Sequence, residues 1–295
     1  MQSDFLLDGF IRHVRVERGL SENTCLSYGY QLGAYLAFLR VRGRESAMAT
    51  RDDILAYLER RKDDGLKSAS LFIAAMAVRQ FHRHLARTGC VPTDPTVGMS
   101  LPRFKQQIPE PLEAKRMDQL LRLPVGSRFA VLRDHAMLEF IYATGIRVSE
   151  LTGLRPEQVD LGGGWVRVLG KGSKERVVPF GPRATAALRR YLAARSVRFP
   201  NAIDTVFLNA RGRGLTRSGF AQRLAAAARR AGISERLTPH RIRHTTATVL
   251  LEGGASLRVV QEILGHRSVL TTQRYTHVSS KFMRQACEKA HPAFS

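Results

Sequence analysis

The sequence predicts a mainly α-helical protein with two domains, the second of which also contains a small β-hairpin. Apolar residues recur at helical spacing through most of the first third of the chain. Pro102, Pro109 and Pro111 then interrupt this pattern and mark a boundary between domains. Further along, two short runs of alternating residues flank a turn that contains glycine, which is typical of a hairpin.

Composition favours a nucleic-acid partner. The 295 residues are 44% hydrophobic, enough to fill one large or two ordinary cores. The formal net charge of +22 costs self-repulsion in the folded state, and binding to a polyanion relieves it. A merely soluble or ribosomal-type basic protein is the alternative. A membrane-surface protein is disfavoured, because no basic amphipathic anchor stands out.

Cysteine usage and the N-terminus favour a cytoplasmic location. Cys25, Cys90 and Cys287 are odd in number and far apart, so neither a disulfide framework nor a cysteine zinc site is indicated. The first ten residues carry Asp4 and Asp8, which is not typical of a signal peptide. No apolar stretch approaches the length of a membrane span.

The first domain, predicted over residues 1–100, contains four helices with basic faces and resembles half of a DNA clamp. Its first helix runs from Phe5 through Val14 and ends before Gly19. Tyr28 and Tyr35 lie on an apolar stripe and are assigned to the core rather than to base stacking. The expected N-caps are Ser21 for the second helix, Thr50 in a capping box with Asp53 for the third, and Ser70 for the fourth.

The second domain, predicted over residues 112–295, follows an extended basic linker at 101–111, for which an ordinary surface loop is the alternative. In its hairpin, Trp165–Leu169 pairs with Arg176–Phe180, and Pro179 favours an edge position for the second strand. The expected helices cover 117–123, 134–143, 184–195, 218–231, a segment from Pro239 to Gly253 with Thr238 as N-cap, and a segment opened by Ser256 and closed by Gly265.

Basic side chains and one phenol concentrate in a short C-terminal stretch. Between His240 and Tyr275 the chain has three imidazoles and several guanidiniums but only two carboxylates. His240 and Arg243 are three residues apart and share a helix face, while His266 follows a helix stop. Such a cluster suits a bound phosphate, and Tyr275 is its only residue that looks like a nucleophile for phosphorus.

Two upstream groups complete the candidate site. Arg147 stands just after a glycine break, at a predicted helix start, where Glu150 at i+3 can hold its guanidinium. Lys171 lies in the hairpin turn, from which a long amine can reach into a groove. Taken singly, each candidate has an ordinary explanation: a surface ion pair, a solvated lysine, a helix-surface histidine or a packed tyrosine. Their joint order and spacing favours a functional site.

A metal site is not expected. His240 and His244 have the H-x-x-x-H spacing that can chelate zinc. However, Arg241 occupies the position of the general-base glutamate in the H-E-x-x-H pattern, and the surrounding arginines repel a cation.

Four segments of the chain resemble the tyrosine recombinases of the phage-integrase superfamily, and specifically the Xer type. They are residues 142–152, 168–180, 240–249 and 257–278. The segment Leu257–Glu262 and the His291-Pro292 ending resemble the XerD branch more than the XerC branch. All six catalytic positions of the family are filled, by Arg147, Lys171, His240, Arg243, His266 and Tyr275.

The resemblance implies a SAM-like core-binding domain and an α+β catalytic domain that close on DNA as a clamp. It implies site-specific recombination through a covalent 3′-phosphotyrosyl intermediate and a Holliday junction, in chromosome dimer resolution and segregation. No cofactor or metal is implied. The implied partners are a double-stranded recombination site, a homo- or hetero-tetramer that includes a second Xer recombinase, and a DNA translocase regulator. In this family the tail, here Ser279–Ser295, packs on a neighbouring subunit; intramolecular docking is the alternative.

Three other functions stay open at this point. A phage or transposon integrase has the same chemistry, as does a type IB topoisomerase-like enzyme that relaxes DNA as a monomer. A non-catalytic DNA-binding relative of the fold is the third, and the intact set of six residues argues against it.

Overall fold

The computed structural model describes residues 2–101, 110–123, 126–170, 175–202, 204–265 and 278–294. The chain forms two compact units, Met1–Ile108 and Pro109–Ser295. The predicted linker at 101–111 falls almost wholly outside the described residues, so the domain limits drawn from the sequence stay a prediction. Among the described residues, none of the helices has the length and apolar character needed to span a membrane.

Local capping signals fix the helices of the first unit. Ser21 Oγ accepts a hydrogen bond from the Thr24 N–H at 3.3 Å, and Thr50 and Asp53 form the predicted capping box. The prediction for Ser70 is wrong, because the fourth helix already begins at Ser68 and places Ser70 in its first turn. The helices are α1 (Gln2–Val16), α2 (Glu22–Val41), α3 (Arg51–Asp63) and α4 (Ser68–Arg87), with a 3₁₀ turn at Ser46–Met48.

Aromatic side chains fill the core of the first unit. Tyr35 is completely buried, and its hydroxyl lies 2.9 Å from His82 Nε2. Burial lowers the pKa of His82 to about 4, so the ring is neutral at pH 7. The ring of Tyr57 packs on Tyr35 with centroids 5.1 Å apart. The assignment of Tyr35 to packing rather than to base stacking is confirmed.

The second unit is built around one almost fully buried helix, α6, on which α8 and α10 pack. From Ala136 to Thr144 every residue of α6 is buried, which places this helix in the middle of a large core. The helices of this unit are α5 (Ala114–Leu121), α6 (Phe129–Thr144), α7 (Val148–Thr152), α8 (Pro182–Arg198), α9 (Arg217–Arg230), α10 (Pro239–Glu252), α11 (Leu257–Leu264) and α12 (Val278–Ala290), with 3₁₀ turns at Pro156–Gln158 and Pro292–Phe294.

The predicted hairpin is present inside a three-stranded antiparallel sheet. Strand β1 (Val159–Asp160) pairs with β2 (Trp165–Leu169), which pairs with β3 (Glu175–Pro179). Pro179 faces Trp165, and β3 is an edge strand as the proline predicted. The two-residue strand β1 was not predicted, because it is too short to show an alternating pattern.

The C-terminal tail docks on its own chain. Met283, Cys287 and Ala290 of α12 are buried, and α12 packs on β3, α10 and α11. Beyond the helix, the ring of His291 lies 4.5 Å from the ring of Tyr142 on α6. The structure of the single chain thus shows intramolecular docking of the tail, and packing on a neighbouring subunit stays a prediction.

We expect Gly253→Ala to loosen this docking. The backbone at Gly253 has φ −77°, which any residue adopts, but an added Cβ would lie 2.5 Å from Ala290 Cα. The overlap should cost about 1–3 kcal/mol of unfolding free energy and expose α12 to limited trypsin digestion. Gly9→Ala in α1 is the control: its added Cβ meets none of the described residues within 4 Å, so a gain of up to about 1 kcal/mol is expected. Unchanged tail protection in Gly253→Ala would contradict this account.

Candidate active site

Helix α10 positions the first two candidate residues. Thr238 caps it, accepting a hydrogen bond from the Arg241 N–H at 3.2 Å, and Pro239 is its first residue, as predicted. His240 therefore lies in the first turn and is exposed, whereas Arg243, one turn further, is only 7% exposed. The same helix thus carries an accessible imidazole and a buried guanidinium.

Arg243 joins the ends of two helices. Its Nη1 donates to the Gly145 carbonyl at 2.6 Å, and its Nη2 donates to the Leu264 carbonyl. Gly145 and Gly265 terminate α6 and α11 in the left-handed conformation, with φ 58° and 64°. The last carbonyls of a helix lack partners within it and carry the negative end of the helix dipole. The buried guanidinium of Arg243 thus supplies a donor to one carbonyl at each of these two helix ends.

Arg243 remains a cation at this position. Burial, together with the charges of Arg147 and Arg176, lowers its pKa to about 10, while the charge of Glu150 opposes this shift. A pKa of about 10 still leaves the side chain protonated at neutral pH. The site therefore contains a permanent positive charge that is poorly hydrated, which is the condition under which a guanidinium binds an anion strongly.

Arg147 and Glu150 make the contact that their spacing predicted. The Arg147 backbone N–H donates to Glu150 Oε2 at 2.7 Å, and its Nη1 donates to Oε1 at 3.1 Å. Its Nη2 donates to the Gly265 carbonyl at 3.1 Å. The Arg147 side chain is 41% exposed and that of Glu150 is 7% exposed. The carboxylate is therefore a buried support for an accessible guanidinium.

Arg176 on β3 is a member of this cluster that the sequence analysis missed. Its Nη1 and Nη2 donate to the two carboxylate oxygens of Glu150, each at 2.8 Å, and its Nε donates to the Ile263 carbonyl at 2.9 Å. Strand alternation could have found it. Arg176 faces the buried Val168 across the ladder, so its charge lies on the apolar side of the sheet.

The arginine triad, defined here as Arg147, Arg176 and Arg243, surrounds the C-terminus of α11. Its members donate to three consecutive carbonyls, those of Ile263, Leu264 and Gly265. Two features of this position favour glycine at residue 265. It adopts a left-handed φ of 64°, and an added Cβ would lie 3.1 Å from Arg176 Nη1.

Glu150 is ionised within the arginine triad. Its burial acts to raise its pKa, but hydrogen bonds and charge from Arg176 and Arg147 outweigh burial and hold the pKa below its usual value. One carboxylate faces three guanidiniums, so this part of the site keeps an excess of positive charge.

Three of the six predicted catalytic residues, Lys171, His266 and Tyr275, lie outside the described residues. In sequence, Lys171 belongs to the turn between β2 and β3, and His266 directly follows Gly265. The structure brings Arg147, Glu150 and Arg243 together and places His240 at the start of the same helix as Arg243. Among described residues, no group of three or more metal-ligating side chains is placed to hold a metal ion.

Comparison with known proteins identifies the family. Residues 111–281 match the phage integrase family, and residues 7–89 match its N-terminal SAM-like domain. The chain belongs to the phage integrase family. Its predicted fold class, a mainly helical two-domain protein with a small sheet, is that of the family and is confirmed.

The chain is similar to recombinases over nearly the full length of both sequences. The chain is 43% identical over 290 residues to tyrosine recombinase XerD of Halalkalibacterium halodurans, with 97% of each covered. It is 39% identical over 287 residues to tyrosine recombinase XerC of Pelobacter propionicus, covering 96% of this chain and 94% of the relative. These similarities confirm the prediction of an XerD-like tyrosine recombinase, which is an enzyme of site-specific recombination that cuts and rejoins DNA strands.

A solved structure shows the same fold at lower identity. The chain aligns with a lambda integrase tetramer bound to a Holliday junction at a TM-score of 0.65 and 18% identity, covering 93% of this chain and 80% of the other. At that identity the likeness concerns the fold alone.

We expect Glu150→Gln to destabilise the second unit by about 3 kcal/mol, because it leaves the guanidinium of Arg176 buried without its carboxylate. Trp165, the single tryptophan, reports unfolding of this unit in a urea titration. Since the folded pKa of Glu150 is depressed, its contribution is present above its unfolded pKa of about 4.3 and is lost as pH falls through the folded value.

The difference between Glu150→Gln and the unaltered chain should therefore be large at pH 7 and shrink below about pH 4. Glu157→Gln is the control, because Glu157 is exposed and, in the described part of the chain, its ion pair is with the exposed Arg155 in a contact of 3.5 Å. Its effect should stay within about 0.5 kcal/mol. A Glu150→Gln difference that is independent of pH would exclude ionised Glu150 as the cause.

Proposed function

We propose that Arg147 and Arg243 hold the scissile phosphate of a DNA strand while Tyr275 attacks its phosphorus. The observation that carries this proposal is the pair of adjacent carbonyls, at Leu264 and Gly265, to which the two guanidiniums donate. Side-by-side guanidiniums suit the two non-bridging oxygens of a phosphodiester, on which charge builds in the transition state. Because their partners are mainly neutral carbonyls, their positive charge remains available to an anion.

The attack of Tyr275 forms a 3′-phosphotyrosyl ester and expels a 5′-hydroxyl. A free tyrosine has a pKa of about 10, and nearby guanidiniums favour its phenolate. In this proposal Lys171 protonates the leaving 5′-oxygen, and His240 accepts or relays the proton of Tyr275. His266 donates a hydrogen bond to the phosphate. Glu150 orients Arg147 without touching the substrate. The ester conserves the cleaved bond for religation, so neither ATP nor a metal is required.

The proposed substrate is a double-stranded recombination site, bound by both domains as a clamp. The net charge of +22 supports such binding, which should weaken steeply with salt. The proposed division is 1–100 for the core-binding domain, 101–111 for the linker and 112–295 for the catalytic domain; the family matches at 7–89 and 111–281 support it.

The proposed assembly is a homo- or hetero-tetramer on synapsed DNA, with a second Xer recombinase and a DNA translocase regulator as partners. The lambda integrase structure of the same fold is a tetramer on a Holliday junction, which supports the tetramer. Chromosome dimer resolution and segregation in the cytoplasm is the cellular role that fits the Xer relatives. Their sequence identity of 43% and 39% to this chain supports this role over that of a phage or transposon integrase.

We expect Tyr275→Phe to abolish covalent attachment to DNA, because phenylalanine has no oxygen to attack phosphorus. The unaltered chain should be incubated with total DNA of its source organism, and the DNA that stays attached after denaturation should be sequenced. One short recurring sequence is expected, and none with Tyr275→Phe. Tyr30→Phe, at an exposed tyrosine of the first unit, is the control and should keep the adduct. A persisting adduct in Tyr275→Phe would assign the nucleophile elsewhere.

Lys171→Ala should cleave a normal site about 100- to 10,000-fold more slowly, the range typical for loss of a general acid. It should regain cleavage on a site whose 5′ leaving atom is sulfur, since a thiolate leaves without protonation. Single-turnover formation of the covalent adduct measures both rates. Lys115→Ala, an exposed lysine of the same unit, should change neither. Equal slowing on the oxygen and sulfur substrates would remove Lys171 from the acid role.

A further inference from the structure

We propose that Arg176 is a positioning residue for strand cleavage, which fixes the catalytic arginines and the end of α11 without touching DNA. The inference rests on the proposed function and adds a seventh residue to the six predicted from the sequence. Arg176 is only 12% exposed, and each of its three nitrogens donates a hydrogen bond inside the protein.

The guanidinium of Arg176 is held in one plane by contacts on two sides. Its two terminal nitrogens meet the Glu150 carboxylate in a parallel fork, at 2.8 Å each, and its Nε meets the Ile263 carbonyl at 2.9 Å. Such a fork fixes direction as well as distance. A lysine ammonium is a point charge and reproduces only one of these contacts at a time.

Through these contacts Arg176 connects the parts that carry the other candidates. Glu150 in turn holds Arg147 in place, because it accepts hydrogen bonds from both the backbone N–H and the guanidinium of Arg147. Ile263 belongs to the last turn of α11, whose next two carbonyls receive Arg243 and Arg147. Displacement of Arg176 therefore releases Glu150 and the α11 terminus together.

Sequence neighbours extend the same connection. Arg176 is the second residue of β3. In sequence, β3 follows the segment that contains Lys171. Gly265, against which the Arg176 guanidinium packs, directly precedes His266. Arg176 is thus connected to Arg147 through Glu150 and to the α11 end that receives Arg243. It also lies close in sequence to the segment that contains Lys171 and packs against the residue that precedes His266.

The consequence is a separation of binding from chemistry. Phosphate contacts that supply DNA affinity are spread over a large basic surface. Alignment at the scissile phosphate depends on a few groups, where a displacement of about 1 Å can cost on the order of 100-fold in rate. Loss of Arg176 should therefore leave DNA affinity nearly unchanged and slow the covalent step.

The test compares Arg176→Gln, Arg176→Lys and the control Arg167→Gln. Arg167 lies on β2 of the same sheet but is exposed, so its replacement removes the same charge without removing the fork. Each variant binds a nicked duplex that carries the sequence recovered from the covalent adducts of the unaltered chain. The dissociation constant and, at saturating DNA, the single-turnover rate of adduct formation are measured well below the melting temperature reported by Trp165.

We expect affinities within about twofold of the control for both Arg176 variants. The adduct rate should fall about 10- to 100-fold in Arg176→Gln, as for outer-shell partners of other active sites, with Arg176→Lys between it and the unaltered chain. An Arg176→Gln rate equal to that of Arg167→Gln would overturn the proposal, as would a loss of rate that only follows a loss of affinity. If Arg176→Gln fails to fold, Arg176→Lys is judged by the same criteria. An adduct rate in Arg176→Lys equal to that of the unaltered chain would then contradict the role given to the two parallel hydrogen bonds.

The experiment distinguishes a failure of the proposed function from a failure of the role proposed for Arg176. If the unaltered chain attaches covalently to no sequence in the total DNA of its source organism, the covalent chemistry is wrong and the role of Arg176 falls with it. If the unaltered chain and Arg167→Gln form the adduct and Arg176→Gln forms it as fast, only the positioning role is removed.

Discussion

The C-terminus of α11 is a partly buried helix end whose carbonyls need donors, and the arrangement of the site depends on how that need is met. Three consecutive carbonyls there receive three guanidiniums from three different elements, β3, α10 and the residue before α7. A buried carbonyl without a donor and a buried cation without an acceptor are each costly. Each satisfies the other here, so one solution stabilises the fold and gathers positive charge at one point.

The choice of partner determines what that charge can do. Had each guanidinium been paired with its own carboxylate, the cluster would be neutral and would repel a phosphodiester as much as attract it. Helix carbonyls carry only partial negative charge. Among the residues that the structure describes, Glu150 is the one carboxylate bound to the triad, and it pairs with Arg176 as well as with Arg147. The remaining positive charge is unbalanced until an anion arrives, which favours binding of a phosphate over an empty site.

Sequence patterns predicted the local parts of this arrangement and missed the distant ones. The caps Thr238 and Gly265 depend on residues within one turn, and Glu150 lies three residues from Arg147, so all three were accessible to pattern reasoning. Arg176 was missed because its partners are 26 and 87 residues away, and one of them is a backbone carbonyl, which every residue has. The error at Ser70 has a related origin, since several serines near a helix start satisfy the same capping pattern.

The segment that carries His266 and Tyr275 starts and ends on elements that depend on the same scaffold. It leaves from Gly265, which packs against Arg176, and it returns into α12, which packs on β3, α10 and α11. Two of those elements carry Arg176 and Arg243, and the third supplies their carbonyls. Anything that shifts the arginine triad therefore also shifts both attachment points of the segment that carries the proposed nucleophile. Because the proposed phosphate-binding groups and the proposed nucleophile share one support, their alignment can be kept or lost as a unit, which suits an enzyme that must cut and religate the same bond.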